Sequence, residues 1–495
     1  MEISFLLHPI LLFFFFLIFI FIILFLLRPK FLCNCEICQA YLASSWSKDF
    51  HNLCDWYSHL LRQSPTKTIH IHVLRNTITA NPDNVEYILK TKFENYPKGK
   101  IFSSILGDFL GRGIFNVDGD LWRFQKKMAI IELGQQSIRS YCFEIVSQEI
   151  HSRLLPLLSS VADGGSGGVL DLQDVFRRFA FDSICKFSFG LDPMCLELSL
   201  PISDIAVAFD LASKLSAERA MAVPPLIWKI KRMLNLGREK ELKKAIKLIN
   251  VLAHEVIRQR RKLGFSTHRD LLSQFMRTVS DETFLRDIIV SFLLAGRDTI
   301  ASALTSFFWV ISTHPAVESA IQLEADRVIG PTSNPTSFDQ IRNLHYLQAA
   351  IFESMRLYPP IQFDSKFCQN DDILPDGTFV RRGTRVSYHP YAMGRMEQIW
   401  GTNCLEFNPE RWLKNNIFCP ENPFKYPIFQ GGFRFCLGKE MALFELKIVA
   451  LSVIRHFRIQ STTPSSSVAP RFSPGLTATF CGGFKVIVSK KRKWE

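Results

Sequence analysis

The sequence predicts a mainly α-helical protein with small β-sheets and an N-terminal transmembrane helix. Three observations favour this fold class. Apolar residues recur with helical spacing from about residue 82 to residue 312. Short runs rich in β-branched residues, bounded by turn residues, stand on either side of that region. An unbroken apolar run of 18 residues occupies positions 10–27. The chain has 495 residues, 47% of them hydrophobic, which is enough for a large core and excludes a disordered protein.

The apolar run is close to the length that crosses a bilayer core as a helix, about 20 residues. Glu2 is the only charge before it, and Arg28 and Lys30 follow it, so the positive-inside rule places the rest of the chain in the cytosol. A cleavable signal usually has a basic start and a shorter apolar stretch. We therefore predict an uncleaved membrane anchor at 3–27, a juxtamembrane linker with a first helix at 28–67, and a single domain at 68–495.

Within the domain, two short strands are predicted at 68–73 and 77–80, before a turn at Asn81 and Pro82. The longest helix, 287–312, is apolar nearly all round and should lie buried in the middle of the fold. The remaining predictions are helices at 316–328, 347–357 and 437–457, and a C-terminal hairpin of 476–480 and 484–488 that turns at Gly482 and Gly483.

The charge pattern narrows the class of partner. The formal net charge is +13, but the basic residues are dispersed and no nucleic-acid-binding motif appears, so we expect no nucleic-acid partner. Attraction to an anionic membrane surface or to an acidic partner protein is the better interpretation.

Three of the 12 cysteines, Cys33, Cys35 and Cys38, cluster just after the anchor. Their spacing does not repeat the paired C-x2-C blocks of common zinc sites. A cytosolic domain keeps its thiols reduced, so unligated cysteines are the preferred interpretation, with zinc binding and lipidation as alternatives. His70 and His72 alternate along a predicted strand, and we expect them on an exposed strand face.

The strongest chemical signal lies at residues 429–438, Phe-Gln-Gly-Gly-Phe-Arg-Phe-Cys-Leu-Gly. Gly431 and Gly432 permit a tight backbone. Cys436 immediately precedes a predicted helix, whose free N–H groups and dipole stabilise an anion, and Arg434 adds a fixed cation. A thiolate is a metal ligand. A single cysteine without nearby partner ligands fits an iron whose other ligands come from a porphyrin.

This loop resembles the haem-binding loop of the cytochrome P-450 superfamily, F-x-x-G-x-R-x-C-x-G. Three further motifs occur in that family's order: A-G-R-D-T at 295–299, E-x-x-R at 353–356 and P-E-R-W at 409–412. The resemblance covers essentially the whole chain and implies a cytochrome P-450 fold in which 68–495 is one haem-thiolate catalytic domain with haem b. The implied cofactor contacts are Cys436, as the axial ligand of the iron, with Phe429, Gly432, Arg434, Gly438, Trp122 and Lys126.

This sequence departs from the family pattern at three places. Lys126 stands where relatives often have an arginine on a haem propionate, so the charge is kept and the bidentate fork is lost. Phe433 replaces a common proline or alanine. The proline-rich hinge usual after the anchor is missing, because no proline follows Pro29 until Pro65.

The remaining motifs imply roles for individual side chains. Asp298 and Thr299 are polar residues in an apolar helix, and a buried carboxylate is costly unless it has a role. With a water molecule they would relay protons to dioxygen, and Gly296 would leave room for dioxygen beside the helix. Glu353 and Arg356 lie one helical turn apart and can pair. The resemblance adds Arg411 to that pair in a structural role.

A finer resemblance is to plant family 94, a group of terminal-carbon hydroxylases, and especially to its subfamily B. The segments LDLQDVFRRFAFD, FDLASKLSAERA, PPIQFDSKF and HPYAMGRM carry it. Subfamily B includes enzymes that hydroxylate the hormone conjugate jasmonoyl-isoleucine at C12. Other members oxidise fatty acids at the omega position, and some act on sterol side chains.

Position in the fold pattern supplies candidate substrate contacts, each of which is also explained by ordinary core packing. They are Phe102, Phe115, Leu294, Gln362, Phe363 and Leu476. A substrate carboxylate would need a cation near the entrance, and Lys98, Lys100 and Arg112 are the candidates.

The resulting hypothesis is an NADPH- and O2-dependent haem-thiolate monooxygenase, anchored by one span in the endoplasmic reticulum membrane with its catalytic domain in the cytosol. It would hydroxylate the terminal carbon of an aliphatic substrate with a polar or carboxylate end, taking electrons from NADPH-cytochrome reductase. Jasmonoyl-L-isoleucine is the first choice, before a fatty acid or a sterol side chain. A haem-thiolate isomerase or dehydratase, and a non-catalytic haem binder, are the alternatives from other classes.

Overall fold

The structure is a computed structural model, and it describes residues 12–22, 33–164, 169–197, 204–223, 225–264, 268–331, 338–462 and 470–491. Helices make up most of this part of the chain. They are α1 (Leu12–Ile22), α2 (Glu36–Leu42), α3 (Leu53–Gln63), α4 (Pro82–Glu86), α5 (Gly99–Leu110), α6 (Gly119–Gly134), α7 (Gln136–Glu149), α8 (Leu155–Asp163), α9 (Leu172–Phe189), α10 (Asp204–Met221), α11 (Pro225–Met233), α12 (Arg238–Leu263), α13 (Leu271–Met276), α14 (Glu282–Leu293), α15 (Thr299–Ile311), α16 (Pro315–Val328), α17 (Phe338–Arg342), α18 (His345–Leu357), α19 (Pro390–Met393), α20 (Glu397–Trp400) and α21 (Lys439–His456).

The strands are short and form small sheets at the edges of the helical body. They are β1 (Thr68–Ile71), β2 (Asn76–Thr79), β3 (Val169–Asp171), β4 (Asp364–Phe367), β5 (Asp372–Ile373), β6 (Phe379–Val380), β7 (Arg385–Tyr388), β8 (Leu413–Lys414), β9 (Ile417–Phe418), β10 (Phe457–Ser461), β11 (Phe472–Ser473), β12 (Thr479–Phe480) and β13 (Lys485–Lys490). The largest sheet has the order β1-β2-β7-β4, in which β2 and β7 run parallel and the other neighbours antiparallel. A second sheet has the order β10-β13-β3.

One long helical element organises the core. It consists of α14, a π-helical turn (Leu294–Asp298) and α15, and α9, α18 and α21 pack against it. Leu293, Phe307 and Phe308 are at most 2% exposed. The prediction of a buried central helix is therefore confirmed. It starts earlier than predicted because the Asp281 carboxylate caps it, accepting the backbone N–H groups of Thr283 and Phe284.

The predicted C-terminal hairpin is wrong. β12 pairs with β11, whereas β13 pairs with β10 and β3. Gly482 and Gly483 do turn the chain, with φ of +82° and +80°, but the turn passes it from one sheet to another. Strand composition and a glycine turn indicate two strands without identifying their partners.

The first predicted strand also ends early. β1 stops at Ile71, and a 3-10 turn (His72–Leu74) follows. His72 therefore lies just beyond the strand, but its ring stays beside that of His70, with ring centres 4.6 Å apart. The expectation that the two histidines share one side is confirmed; His72 is exposed and His70 is partly buried.

The predicted anchor at 3–27 falls within the described residues only at α1, an apolar helix that is mostly exposed. The other residues of that prediction, with Arg28 and Lys30, lie outside the described ranges. Within those ranges, one helix is long and apolar enough to cross a membrane, Glu282–Ile311, and 67% of its apolar window is buried in the protein. Burial in the protein core therefore explains why that helix is apolar.

Candidate functional site

The Cys436 loop lies between a 3-10 turn (Gly432–Arg434) and the start of α21. The Cys436 backbone N–H donates to the Phe429 carbonyl at 2.8 Å and closes the loop. Gly432 has a φ of +59°, and a Cβ atom there would lie 2.1 Å from the carbonyl oxygen of Leu89. The position therefore requires glycine, for a packing reason that the motif alone does not reveal.

The Cys436 thiol lies just before α21, which begins at Lys439. Its side chain is partly exposed, although it lies deep enough that burial raises the pKa of the thiol. The Gly438 backbone N–H and the Lys439 ammonium act in the opposite direction and lower that pKa, but burial dominates. The end of the helix alone therefore does not maintain a thiolate, and a bound metal cation would supply the missing positive charge.

The middle of the long central helix also has partly exposed residues. Leu294, Ala295, Asp298 and Thr299 are partly exposed, although their helix runs through the core. α15 packs against α21, the helix that Cys436 precedes. We interpret these positions and Cys436 as two walls of one interior cleft.

Asp298 belongs to a charged cluster that the sequence did not predict. Arg297 Nη1 lies 3.0 Å from Asp298 Oδ1 and 2.5 Å from Asp210 Oδ1. Burial raises the pKa of Asp298 and the ion pair with Arg297 lowers it. Burial has the larger effect, so the pKa rises from its ordinary 3.8 to about 6. The Thr299 hydroxyl donates to the Ala295 carbonyl at 2.5 Å. A carboxyl with a pKa near neutrality beside a hydroxyl suits proton transfer.

Gly296 does not open free space at the position of its absent side chain. A Cβ atom there would lie 2.3 Å from Ile184 Cδ1, because α9 packs closely against this part of the helix. The close packing of Ile184 therefore requires glycine at this position, and room for dioxygen elsewhere beside the helix stays a prediction.

Arg434 is fixed by contacts to the loop before α6. Its Nη2 donates to Asp118 Oδ1 at 2.6 Å and to the Val117 carbonyl at 2.9 Å, and its guanidinium lies 4.5 Å from the centre of the Trp122 ring. Arg434 Nε is buried and has no hydrogen-bond partner among the described residues. A buried donor without an acceptor is costly, so the guanidinium suits an additional anionic ligand group.

Lys126 reaches the same loop from α6. Its Nζ donates to the Phe433 carbonyl at 2.6 Å and lies 5.2 Å from the centre of the Trp122 ring. Burial and the nearby Arg434 lower the pKa of Lys126. Arg123 does not replace the missing arginine, because it pairs with Glu94 and Asp120 on the surface.

A buried ionic cluster adjoining Arg434 was also missed. Asp364 Oδ1 lies 2.6 Å from Lys98 Nζ, and its Oδ2 lies 2.5 Å from Lys366 Nζ. Burial alone would raise the pKa of Asp364, but Lys366 and Lys98 hold it far below its usual range. Lys98 is 7% exposed and engaged in this pair, so it is not available to a substrate at the entrance; Lys100 and Arg112 are exposed.

These donors fit a haem. A thiol at a helix end provides one axial ligand. Arg434, which pairs with Asp118 and has an unpartnered Nε, offers a donor that suits a flat ligand carrying carboxylates. Phe433 and Phe435, 50% and 47% exposed, add apolar surface next to the thiol.

Glu353, which is fully buried, is the centre of a hydrogen-bond network. Arg356 donates to both of its carboxylate oxygens at 2.8 Å, and Arg411 Nε donates at 3.2 Å. Trp412 Nε1 donates at 2.8 Å, a contact that the sequence did not predict. Arg356 also binds the carbonyls of Cys404 and Gly394, so the network ties α18 to the irregular segment before the Cys436 loop.

The candidate substrate residues are not equivalent in the structure. Phe115 is 39% exposed, and Phe102, Leu294 and Leu476 are partly exposed. Phe363 stacks on His389, with ring centres 5.9 Å apart. The Gln362 side-chain oxygen Oε1 accepts from the Cys54 thiol at 3.3 Å, and its buried Nε2 has no partner within the described part of the chain.

Comparison with known proteins agrees with this geometry. The family described as Cytochrome P-450 matches residues 37–477. Cytochrome P-450 94C1 of Arabidopsis thaliana is 58% identical, over 97% of this chain and 98% of the relative. Cytochrome P-450 94B1 of the same plant is 44% identical, over 91% and 90%. Cytochrome P-450 94A1 of Vicia sativa is 40% identical, over 90% and 88%.

The 94C relative is more similar than the 94B relative, which differs from the expected likeness to subfamily B. Among solved structures, the cytochrome P450DA heme domain superposes with a TM-score of 0.71, covering 84% of this chain and 88% of that chain at 20% identity. That likeness supports the fold.

Proposed function

We propose that this protein hydroxylates the terminal carbon of an aliphatic substrate. The chain belongs to the cytochrome P-450 family and to its plant family 94. Membership of this family makes the protein an oxidoreductase, a monooxygenase with a haem whose iron has a thiolate ligand. When bound, the haem supplies the activation of dioxygen and the insertion of one oxygen atom into a C–H bond. A redox partner and a small-molecule substrate follow from the same membership.

The observation that carries the proposal is the partly exposed Cys436 just before α21, two residues after Arg434, whose buried Nε is an unused donor. Cys436 would be the axial ligand. Arg434, Trp122 and Lys126 would hold the carboxylates and edge of the cofactor, with Phe429, Gly432 and Gly438 shaping the loop around the ligand. The Glu353, Arg356 and Arg411 network would keep this loop in register with α18.

Proton delivery would use the central helix. Asp298 has a pKa near neutrality, so it can both take up and release a proton at cellular pH. The Thr299 hydroxyl donates to a backbone carbonyl, which leaves its oxygen lone pairs free to accept a hydrogen bond in the cleft. Both side chains are partly exposed toward that space.

The preferred substrate is jasmonoyl-L-isoleucine, hydroxylated at C12, and the choice rests on the resemblance to the terminal-carbon hydroxylases of family 94. Its aliphatic end would enter past Phe102, Phe115, Leu294, Phe363 and Leu476. Its carboxylate would stay near the exposed cations Lys100 and Arg112. A fatty acid and a sterol side chain are the competing substrates, and the isomerase, dehydratase and haem-binder alternatives lack a use for Asp298 and Thr299.

The site of action would be the cytosolic face of the endoplasmic reticulum. The apolar run at 10–27, of which α1 is the described part, would be a single-pass anchor. The net charge of +13 would attract the acidic surface of NADPH-cytochrome reductase.

The test is a competition in microsomes that contain the full chain and reductase. Jasmonoyl-isoleucine and lauric acid are offered together with NADPH, and the products are identified by mass and by position of the hydroxyl group. Microsomes with Cys436→Ala at equal protein level are the control. We expect terminal hydroxylation of the hormone conjugate. Turnover of the fatty acid alone would contradict the substrate, and a carbon monoxide complex without NADPH-dependent turnover would contradict the activity.

A further inference from the structure

Four potential metal ligands converge far from the haem cleft. They are the Sγ atoms of Cys33, Cys35 and Cys38 and a ring nitrogen of His72, and all of them lie within 4.8 Å of one another. His72 Nδ1 is 3.5 Å from Cys33 Sγ and 3.8 Å from Cys35 Sγ. We propose that these four residues bind one Zn2+ ion in a structural Cys3His site.

The two sulfur–nitrogen separations match those of a tetrahedral zinc site, and all four ligand atoms lie within 4.8 Å of one another. Zinc binds cysteine sulfur at about 2.3 Å and histidine nitrogen at about 2.0–2.1 Å, usually with four ligands in structural sites. Ligand atoms at the corners of such a tetrahedron are roughly 3.5–3.8 Å apart, as the two sulfur–nitrogen distances are. A disulfide would need sulfurs about 2.05 Å apart, and Cys33, Cys35 and Cys38 are all free thiols.

Local structure places each ligand before any metal binds. Cys35 is the N-cap residue of α2, and Cys38 lies in the first turns of that helix, fully buried. The short C-x-C-x-x-C spacing therefore brings three sulfurs to one helix end.

The fourth ligand depends on the early end of β1. Since the strand stops at Ile71, the 3-10 turn carries His72 to the cysteines. His70 packs against His72, with ring centres 4.6 Å apart, but its Nδ1 is engaged 2.9 Å from Thr77 Oγ1. The sequence gives three cysteines without a fourth ligand nearby, and the fold supplies one from more than thirty positions downstream.

A zinc ion there would fasten the segment that follows the apolar run to the four-stranded sheet. This sequence has no proline-rich hinge between Pro29 and Pro65. The metal would instead fix the orientation of the domain relative to the segment that precedes it. The site is independent of substrate and haem chemistry.

The experiment uses full-length, haem-loaded protein, solubilised from membranes and washed with EDTA. Zinc and iron are measured together by plasma mass spectrometry, so that zinc is counted per haem. We expect about one zinc per haem in the wild type, at least a five-fold loss in the double variant C35S/C38S, and a clear loss in His72→Ala. Cys481→Ser, which changes an exposed free cysteine elsewhere, and His70→Ala should keep the metal.

A second measurement needs no variant. Zinc X-ray absorption of the wild type should give three sulfurs at about 2.3 Å and one nitrogen at about 2.0 Å, and a mercurial thiol reagent should release the ion. Wild-type protein without zinc would overturn the proposal. So would full zinc in C35S/C38S, another metal in its place, or a Cys33–Cys38 peptide that carries a disulfide or an acyl chain.

Discussion

Arg434 Nη2 donates to Asp118 Oδ1 at 2.6 Å, and the pair holds a buried guanidinium in one orientation over Trp122. Its Nε is left without an acceptor in the described part of the chain. This combination of a fixed cation and one unused donor next to Cys436 suits a carboxylate of the cofactor better than any protein group in its surroundings.

The first prediction follows from that geometry. Arg434→Lys keeps the charge and loses the planar fork, so the variant should release haem roughly 10- to 100-fold faster, in line with the 1.5–3 kcal/mol typical of a charged hydrogen bond. Transfer of haem to apomyoglobin measures the rate. Arg458→Lys on the exposed face of β10 is the control and should leave it unchanged; equal rates in both variants would remove the assigned contact.

Cys436→Ala should abolish thiolate ligation. The absorption band near 450 nm of the reduced carbon monoxide complex reports the axial thiolate, and the variant should lose it. Cys419→Ser changes a partly buried free cysteine in the segment before the loop and should retain the band. A normal spectrum from Cys436→Ala would refute the ligand assignment.

Much of this site could be predicted from short sequence motifs. The Cys436 loop is contiguous, and Glu353 and Arg356 lie one turn apart on a helix, so spacing alone places them together. The buried central helix was also predictable, because a helix that is apolar on all sides is buried in the core of a large domain.

The long-range pairs were not predictable. Arg434 and Asp118 are 316 positions apart, and Lys98 and Asp364 are 266 apart; neither pair leaves a local pattern. The motif at 295–299 includes Arg297, but it does not predict that Arg297 pairs with Asp210 of α10. The C-terminal hairpin was mispredicted for the same reason, since pairing partners of short strands are set by the whole fold.

The Glu353 network should contribute strongly to stability. Glu353→Gln removes the charge that faces Arg356 and Arg411 inside the protein, and breaking a buried pair costs about 3–5 kcal/mol. Urea denaturation followed by haem absorbance measures the change. Glu86→Gln breaks the exposed pair with Lys90 and should cost less than about 1 kcal/mol. A small effect in Glu353→Gln would show that the network is not a structural tie.

Gly432→Ala should prevent the loop from closing. The added Cβ atom would meet the Leu89 carbonyl at 2.1 Å, in a backbone conformation with φ of +59°, and neither backbone can yield without moving Cys436. We expect most of the protein to lack haem, measured as the ratio of haem to protein. Gly134→Ala, where a Cβ atom would meet nothing within 4 Å, is the matched control. Normal haem content in Gly432→Ala would show that the loop has more freedom than this packing allows.

Asp298 should set a pH dependence of coupling, the fraction of NADPH that ends as product. Burial raises its pKa to about 6, so the carboxyl carries a proton below that pH and is ionised and paired with Arg297 above it. Proton delivery should therefore weaken as pH rises from 6 to 8, and oxygen should increasingly be reduced without product. The measurement is product formed per NADPH across this range. Asp298→Asn cannot exchange a proton, so its coupling should be lower and flat with pH.

The control for pH effects elsewhere is Asp210→Asn. It removes the other partner of Arg297 and a negative charge that raises the pKa of Asp298. The inflection should therefore persist in Asp210→Asn and move to lower pH, while it disappears in Asp298→Asn. Since the carboxyl is more basic in the folded protein than its ordinary value, it also opposes folding as pH rises from about 4 to 6, and Asp298→Asn should be less sensitive to pH in that window. An unchanged inflection in Asp298→Asn would transfer the proton role to another group.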